Sequence, residues 1–424
     1  MQEVDTLKEY AVLVGVQLQK DTHFDYGMQE LENLAHALNV EVVGTVTQNL
    51  ERINPGYYVG TGKIEEIKAF YEEREANVVI FNDELTPSQI RNLEQELACK
   101  VIDRTMLILD IFARRAKTKE AQLQVQLAQL QYMLPRLIGL RASLGRQGGG
   151  TGGGFQNKGA GETKLELDRR KIEDQISKIK KELEHVKEQR ETQRKQRQRN
   201  ALPVVSLVGY TNAGKSTIMN QLLEKSGQSE HKQVFEKDML FATLETSVRQ
   251  IELVDKKSFL LTDTVGFVSK LPHHLVKAFR STLEEARNAD LLLHIVDVSH
   301  EEYRYMVQVT EETLQAVGVE DIPTLYVYNK CDLTDKPYPV VSGDHIWLAA
   351  KEGAGLDELL AIISQHVFAN YVKCELLVPY DRGEVVAYLN ENAAIQSTDY
   401  EEDGTRILVE LNDMDAKRFS QYMQ

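Results

Sequence analysis

Residues 204–217 read VVSLVGYTNAGKST: a β-branched apolar run ends at a glycine and passes through G-x-x-x-x-G-K-S into a helical pattern. Glycines at Gly209 and Gly214 let successive backbone N–H groups wrap phosphate oxygens. Lys215 is placed to reach the β and γ oxygens, and the Ser216 hydroxyl to hold Mg²⁺. Strand before and helix after is the context this loop needs, so the segment predicts a P-loop fold. The expected phosphate-binding residues are Gly209, Tyr210, Thr211, Asn212, Ala213, Gly214, Lys215, Ser216 and Thr217.

The loop does not choose the base. Asn329, Lys330 and Asp332 form N-K-x-D after the apolar run TLYVY. A carboxylate at Asp332 can accept from N1–H and the 2-amino group of guanine, donors that adenine does not present there. An unmatched buried acceptor costs ~1–3 kcal/mol, so the pair of motifs predicts a GTP site rather than an ATP site. Between them, SFLLTDTVGF offers Asp263 at a strand end for Mg²⁺ and the Gly266 N–H for the γ-phosphate. The stretch FATLETS carries Thr243 and Thr246, of which Thr243 is expected to close over the metal. LAAKEGAG stands where a loop should cover the guanine; with Ala349 in place of a serine, Ala350 and Lys351 are the expected contacts. Lys215, Thr243 and Gly266 are the expected catalytic set. Where many nucleotide hydrolases place a glutamine to orient water, this chain has Phe267, whose ring can neither donate nor accept, so its expected role is packing against the helix of LPHHLVKAF.

The rest of the 424 residues is long enough for further domains. Residues 1–104 alternate short β-branched runs with amphipathic stretches, which predicts a small α/β domain with a mainly parallel sheet. In 105–200, Leu123, Leu127, Leu130, Leu134 and Leu137 repeat at spacings of 4 and 3, as do Ile172, Ile176, Ile179, Leu183 and Val186. Two such seams predict an antiparallel helical arm, with Pro135 kinking or dividing its first helix. Between them, residues 145–161 contain nine glycines. Residues 201–372 form the expected nucleotide-binding domain and 373–424 a small α+β domain. The expected fold class is therefore multidomain α/β.

The net charge of −15 conceals an asymmetry: residues 111–200 hold 21 Lys/Arg against 10 Asp/Glu. Within 111–160, eight basic side chains, from Arg114 to Lys158, face the single acid Glu120. This is the footprint of nucleic-acid contact, although solvated helix faces produce similar runs. The longest apolar runs fall short of a membrane span, and the first ten residues are polar without a basic-then-apolar leader. Three widely spaced cysteines suit reduced thiols. A cytoplasmic monomer without membrane attachment is expected.

The stretches VIDRTMLILDIFARRA, EAQLQVQLAQLQYMLPRL, GAGETKLELDRR, GYTNAGKST, LFATLET, DTVGF, NKCD and VPYDRGEV, together spread over nearly the whole chain, resemble the HflX family of ribosome-associated GTPases. The resemblance implies a cytoplasmic GTPase that binds the large ribosomal subunit and splits or rescues stalled ribosomes under stress. Its arm would then lie near the peptidyl transferase centre, with the basic tip 141–161 touching ribosomal RNA. The resemblance to potassium-activated GTPases at Asn212 adds K⁺ as an expected cofactor beside GTP or GDP and Mg²⁺. Ala349 and the glycine-heavy, arginine-poor tip depart from the family pattern. An N-terminal ATP site is not expected, because YVGTGKIEEI lacks P-loop spacing and a following hydroxyl. The other reading is an RNA-binding or RNA-remodelling module whose GTP site is mainly regulatory.

Overall fold

The computed structural model describes residues 9–147, 158–199, 202–227, 241, 247–272 and 286–424. The chain forms two compact units: Met1–Glu188 with Met239–Leu244 and Val268–Arg280, and Gln189–Asp238 with Glu245–Phe267 and Ser281–Gln424.

In the first unit, β1 (Glu9–Leu18), α1 (Phe24–Ala37), β2 (Val40–Leu50), α2 (Thr61–Glu73), β3 (Val78–Phe81), α3 (Pro87–Leu97), β4 (Lys100–Asp103) and α4 (Arg104–Arg115) alternate along the chain. The four strands are parallel in the order β2-β1-β3-β4. Strand β3 reads VVIF and is buried throughout, as an inner parallel strand covered on both faces requires. Helix α3 starts with a capping box between Thr86 and Gln89 and a proline in its first turn. Helix α4 packs against α1 and β4, which carries the α/β layer beyond residue 104.

Asp103 organises the passage from sheet to arm. Its fully buried carboxylate caps α4 through the Met106 N–H at 2.8 Å and accepts the Leu85 N–H at 2.9 Å. It also takes the Arg136 guanidinium at 3.2 Å. Arg136 belongs to α5 (Lys119–Gln147), which runs on to α6 (Lys158–Arg199). Of the two expected outcomes at Pro135, division does not occur: α5 continues through the proline. The Arg136 guanidinium lies over Tyr132 and donates to the Tyr132 carbonyl at 2.6 Å, which supports the turn at the proline. Leu123, Leu127, Ile176 and Ile179 form the buried seam between the two helices, flanked by Leu130, Leu134, Ile172 and Leu183.

A second buried charge pair in this unit is Arg104–Glu30, both side chains at most 3% exposed. Arg104 also donates to Asn82 Oδ1 at 3.0 Å and to the hydroxyl of Ser269 at 3.0 Å. Burying such a pair is tolerable only because both partners collect further hydrogen bonds.

The second unit contains β5 (Val204–Gly209), α7 (Lys215–Lys225), β6 (Ser247–Glu252), β7 (Ser258–Asp263), β8 (Leu291–Asp297), α8 (Tyr303–Ala316), β9 (Thr324–Asn329), β10 (Val340–Ser342), β11 (His345–Trp347) and α9 (Leu356–Val367). Its sheet has the order β10-β11-β9-β8-β5-β7-β6, parallel except for β6 and β10. The chain order reverses beside β5, and the loop after β5 emerges at that switch point, where open α/β sheets bind ligands. The chain ends with β12 (Val372–Val378), α10 (Gly383–Asn392), β13 (Ala394–Glu401), β14 (Gly404–Leu411) and α11 (Asp413–Arg418), an antiparallel sheet of order β12-β14-β13 with its own apolar core. Among the described residues no helix is long and apolar enough to cross a membrane.

Candidate nucleotide site

The 204–217 segment folds as its sequence requires. Gly209 takes φ +143°, and a Cβ there would lie 2.3 Å from the Ile295 carbonyl oxygen. Gly214 takes φ +98°, and a Cβ would lie 2.2 Å from Asn329 Nδ2. Both positions therefore exclude side chains, by backbone conformation and by space. Between them Asn212 also adopts a left-handed backbone at φ +60°, which asparagine tolerates better than most residues.

Lys215 opens α7 and is buried. Its ammonium donates to the carbonyls of Gly209 at 2.9 Å and Tyr210 at 2.7 Å, which fix it over the loop with donor capacity left for an anion. Burial pulls its pKa down to about 8, against the opposing attraction of Asp263. On β8, burial and then the charge of Lys215 push His294 down to about 3, so this imidazole is neutral and adds no second positive charge behind the loop.

Asp263 ends β7, fully buried, and accepts the Ser216 hydroxyl at 2.8 Å. A hydroxyl and a carboxylate oxygen at this separation, both beside the phosphate loop, are a donor set suited to a hard divalent cation. Thr264 then ties the turn to β5 through the Leu207 carbonyl at 2.7 Å. Phe267 lies parallel to the P-loop: its N–H donates to Gly209 O at 3.2 Å and its carbonyl accepts the Thr211 N–H at 2.8 Å. Gly266 is thereby pressed onto the loop, where a Cβ would stand 2.8 Å from Thr211 Cγ2 and 3.0 Å from Lys215 Nζ.

Asn329 joins the base-side loops. It is buried, donates to Ala213 O at 3.0 Å and accepts the Ala350 N–H at 3.0 Å. Lys330 follows with φ +64° and pairs with Asp297 at 2.8 Å. Asp332 sits in the next 3₁₀ turn, partly exposed. Ala349 is bridged to Ala354, and the turn Ala350–Glu352 carries Lys351.

The sequence-predicted P-loop, Asp263, Gly266, Asn329 and Ala350 are thus connected by direct contacts. Thr243, residues 148–157 of the expected tip 141–161, most of the helix expected to receive Phe267, and the side chains of Arg141, Arg146 and Lys158 lie outside the described residues. Three residues were missed: Asp297, Thr264 and the backbone of Phe267. Only Asp297 left a signal, a carboxylate ending the apolar run LLLHIVD. Several of the eight basic side chains counted in 111–160 serve the fold, among them Lys119, which pairs with Glu182 at 3.4 Å. Arg136 holds Asp103, and Arg114 donates to Leu38 O at 2.8 Å.

A phosphate loop, a carboxylate strand end and an N-K-x-D loop stitched together on one α/β sheet define a P-loop GTPase domain. Family models agree along the chain: "GTP-binding GTPase N-terminal" matches residues 25–113, "GTP-binding GTPase Middle Region" 115–197, "50S ribosome-binding GTPase" 204–330 and "HflX C-terminal domain" 341–423. The GTPase HflX of Caldanaerobacter subterraneus subsp. tengcongensis is 44% identical over 97% of this chain and 93% of its own length. That of Escherichia coli is 40% identical over 94% and 92%. A GTP-binding protein from Sulfolobus solfataricus, solved in complex with GDP, is 25% identical over 86% of this chain and 99% of its own, with a TM-score of 0.43. The chain belongs to the HflX family of GTPases, and it is a GTP hydrolase.

Two outcomes follow from the geometry. Asn329→Ala leaves the Ala350 N–H and the Ala213 carbonyl without their partner and should weaken GDP binding about 10- to 100-fold; an unchanged dissociation constant would remove the amide from the site. Because phosphate attracts the protonated Lys215, GDP affinity should be level below about pH 8. Above that it should fall by up to about tenfold per unit, as the free protein loses the proton. A fluorescent GDP analogue titrated across this range reads it, and a level profile up to about pH 10 would contradict it.

Proposed function

We propose that this chain is a Mg²⁺-dependent GTPase that binds the large ribosomal subunit and splits or rescues stalled ribosomes. The observation that carries the nucleotide half is Asn329, whose one amide connects the phosphate loop to the guanine-covering loop. Asp332 selects guanine, with Ala349, Ala350 and Lys351 closing over the base. Ser216 and Asp263 would hold Mg²⁺, with Thr243 completing the set, and the cation would neutralise charge on the β and γ oxygens. Gly209 to Thr217 cradle the phosphates, and Lys215 spans the β and γ groups.

In this reading a γ-phosphate arriving beside Lys215 displaces the turn of Gly266, which packs close to Thr211 and Lys215. GTP therefore opens the Thr211–Phe267 backbone bond, the Gly266 N–H turns to the new phosphate, and hydrolysis lets the bond re-form. Phe267 supplies no group to orient water. The missing contribution comes from outside the turn: a K⁺ ion held at Asn212, which would offset transition-state charge, and the ribosomal partner.

Support for the ribosomal half is the family to which the chain belongs and the basic run of 111–200. With Arg114 and Arg136 committed to the fold, the positive charge left for RNA phosphates concentrates toward Arg141, Arg146 and Lys158, around the glycine-rich loop.

Pelleting with purified large subunits should be strong with a non-hydrolysable GTP analogue and weak with GDP; equal pelleting would leave only an RNA-binding module with a regulatory site, and none would sink both. Turnover should be several-fold faster in K⁺ than in Na⁺ at equal ionic strength, and equal rates would eliminate the ion at Asn212.

A further inference from the structure

The two faces of β9 and β11 differ. On one, Leu325, Val327, Ile346 and Leu348 enter the core with α9. On the other stand Tyr326, Tyr328, His345 and Trp347. The connection from β9 to β11 contains a 3₁₀ turn and β10 but no α-helix, and α8 packs over β5 and β8. The second face is covered only in part: Tyr328 and Trp347 pack with Tyr303, Val307 and Tyr338 around Val296, Val298 and Cys331, and their outer surfaces stay accessible. Tyr326 stacks on His345 at 5.1 Å between centroids, and Tyr328 on Trp347 at 4.8 Å, with interplanar angles of 18° and 15°. Tyr303 of α8 stands edge-on to Tyr328 at 6.4 Å. All five rings are only partly buried. Stacked rings of this kind, half wet and half covered, are a common composition for a recognition surface.

The charge around them states what they accept. Tyr326 donates to Glu311 at 2.6 Å and Tyr338 to Glu352 at 3.0 Å, so two exposed carboxylates are fixed at the margins by phenol hydroxyls. The framing segments 301–312 and 335–352 carry seven carboxylates against three Lys/Arg. Two of those cations already turn to an aromatic face: Lys336 lies 4.8 Å and Arg304 5.8 Å from the centre of Tyr303. The surface thus draws cations to its rings, and its excess of carboxylates opposes a polyanion.

We infer that this aromatic sheet face docks a lysine- or arginine-rich polypeptide segment of a protein partner. The partner's cations replace or extend Lys336 and Arg304 over the rings and pair with Glu311 and Glu352, while its aliphatic stems cover the ring edges. Single-stranded RNA would stack bases on such a platform but needs a positive surround that this face lacks.

Trp347 is the only tryptophan in the chain, so its fluorescence reports this face alone. The full chain, saturated with GDP, is titrated with a synthetic decapeptide of alternating lysine and glycine and, separately, with a ten-nucleotide oligouridylate. The peptide should change Trp347 emission saturably, and Glu311→Gln with Glu352→Gln should raise its half-saturation about fivefold. The RNA should leave emission unchanged. Emission that responds to RNA instead, or to neither probe, overturns the inference. So does a peptide response of equal strength in the double variant. If that variant loses GDP binding, Tyr303→Leu, which removes the ring that holds Lys336 and Arg304, must weaken the peptide response instead; an unchanged response would again overturn the inference.

Discussion

The nucleotide site hangs on one buried amide. Asn329 spends its nitrogen on the phosphate loop and its oxygen on the Ala350 N–H, so neither loop can move without breaking a hydrogen bond where water cannot replace it. The close packing of Gly214 against the same nitrogen removes any slack. The phosphate loop and the loop of Ala350 are therefore held by one junction. The left-handed Lys330, tied to Asp297, directs the chain from that junction into the turn that presents Asp332.

Opposite this junction the P-loop is met by backbone atoms. The turn after β7 is held to the P-loop by two backbone hydrogen bonds, those of Phe267 with Gly209 and Thr211. Each is worth about 1 kcal/mol net, an amount that a phosphate group and its cation can outweigh. A junction made by a buried side chain on one side and by backbone hydrogen bonds on the other suits the proposed nucleotide-dependent switch. The substitution of phenylalanine for a water-orienting glutamine costs those bonds nothing, because they are made by backbone atoms.

Much of this was legible in the sequence because each element carries a local constraint. The P-loop announces itself by glycines that must be glycines, and N-K-x-D by a carboxylate and amide at fixed spacing after a strand. The arm's seams show in the 4,3 repeat. What stayed hidden was long-range pairing. Arg136 reads as one more cation for RNA until Asp103, 33 residues earlier, is seen to claim it. Pro135 reads as a kink or a break, and the sequence does not show that its neighbour's guanidinium bonds the Tyr132 carbonyl of the same turn. The backbone role of Phe267 could not be read from a side chain at all.

The closed seam of the helical arm sets a boundary on variation. Leu123, Leu127, Ile176 and Ile179 close the two helices on each other, and the glycine-rich sequence that joins them offers few apolar side chains to extend such a core. Lengthening such a connection costs only a slowly growing loop entropy. The number of residues at the tip is thus free to drift by insertion and deletion, while the spacing of the seams, and of Asp103 to Arg136, is not. The arm's reach and its end can be altered independently.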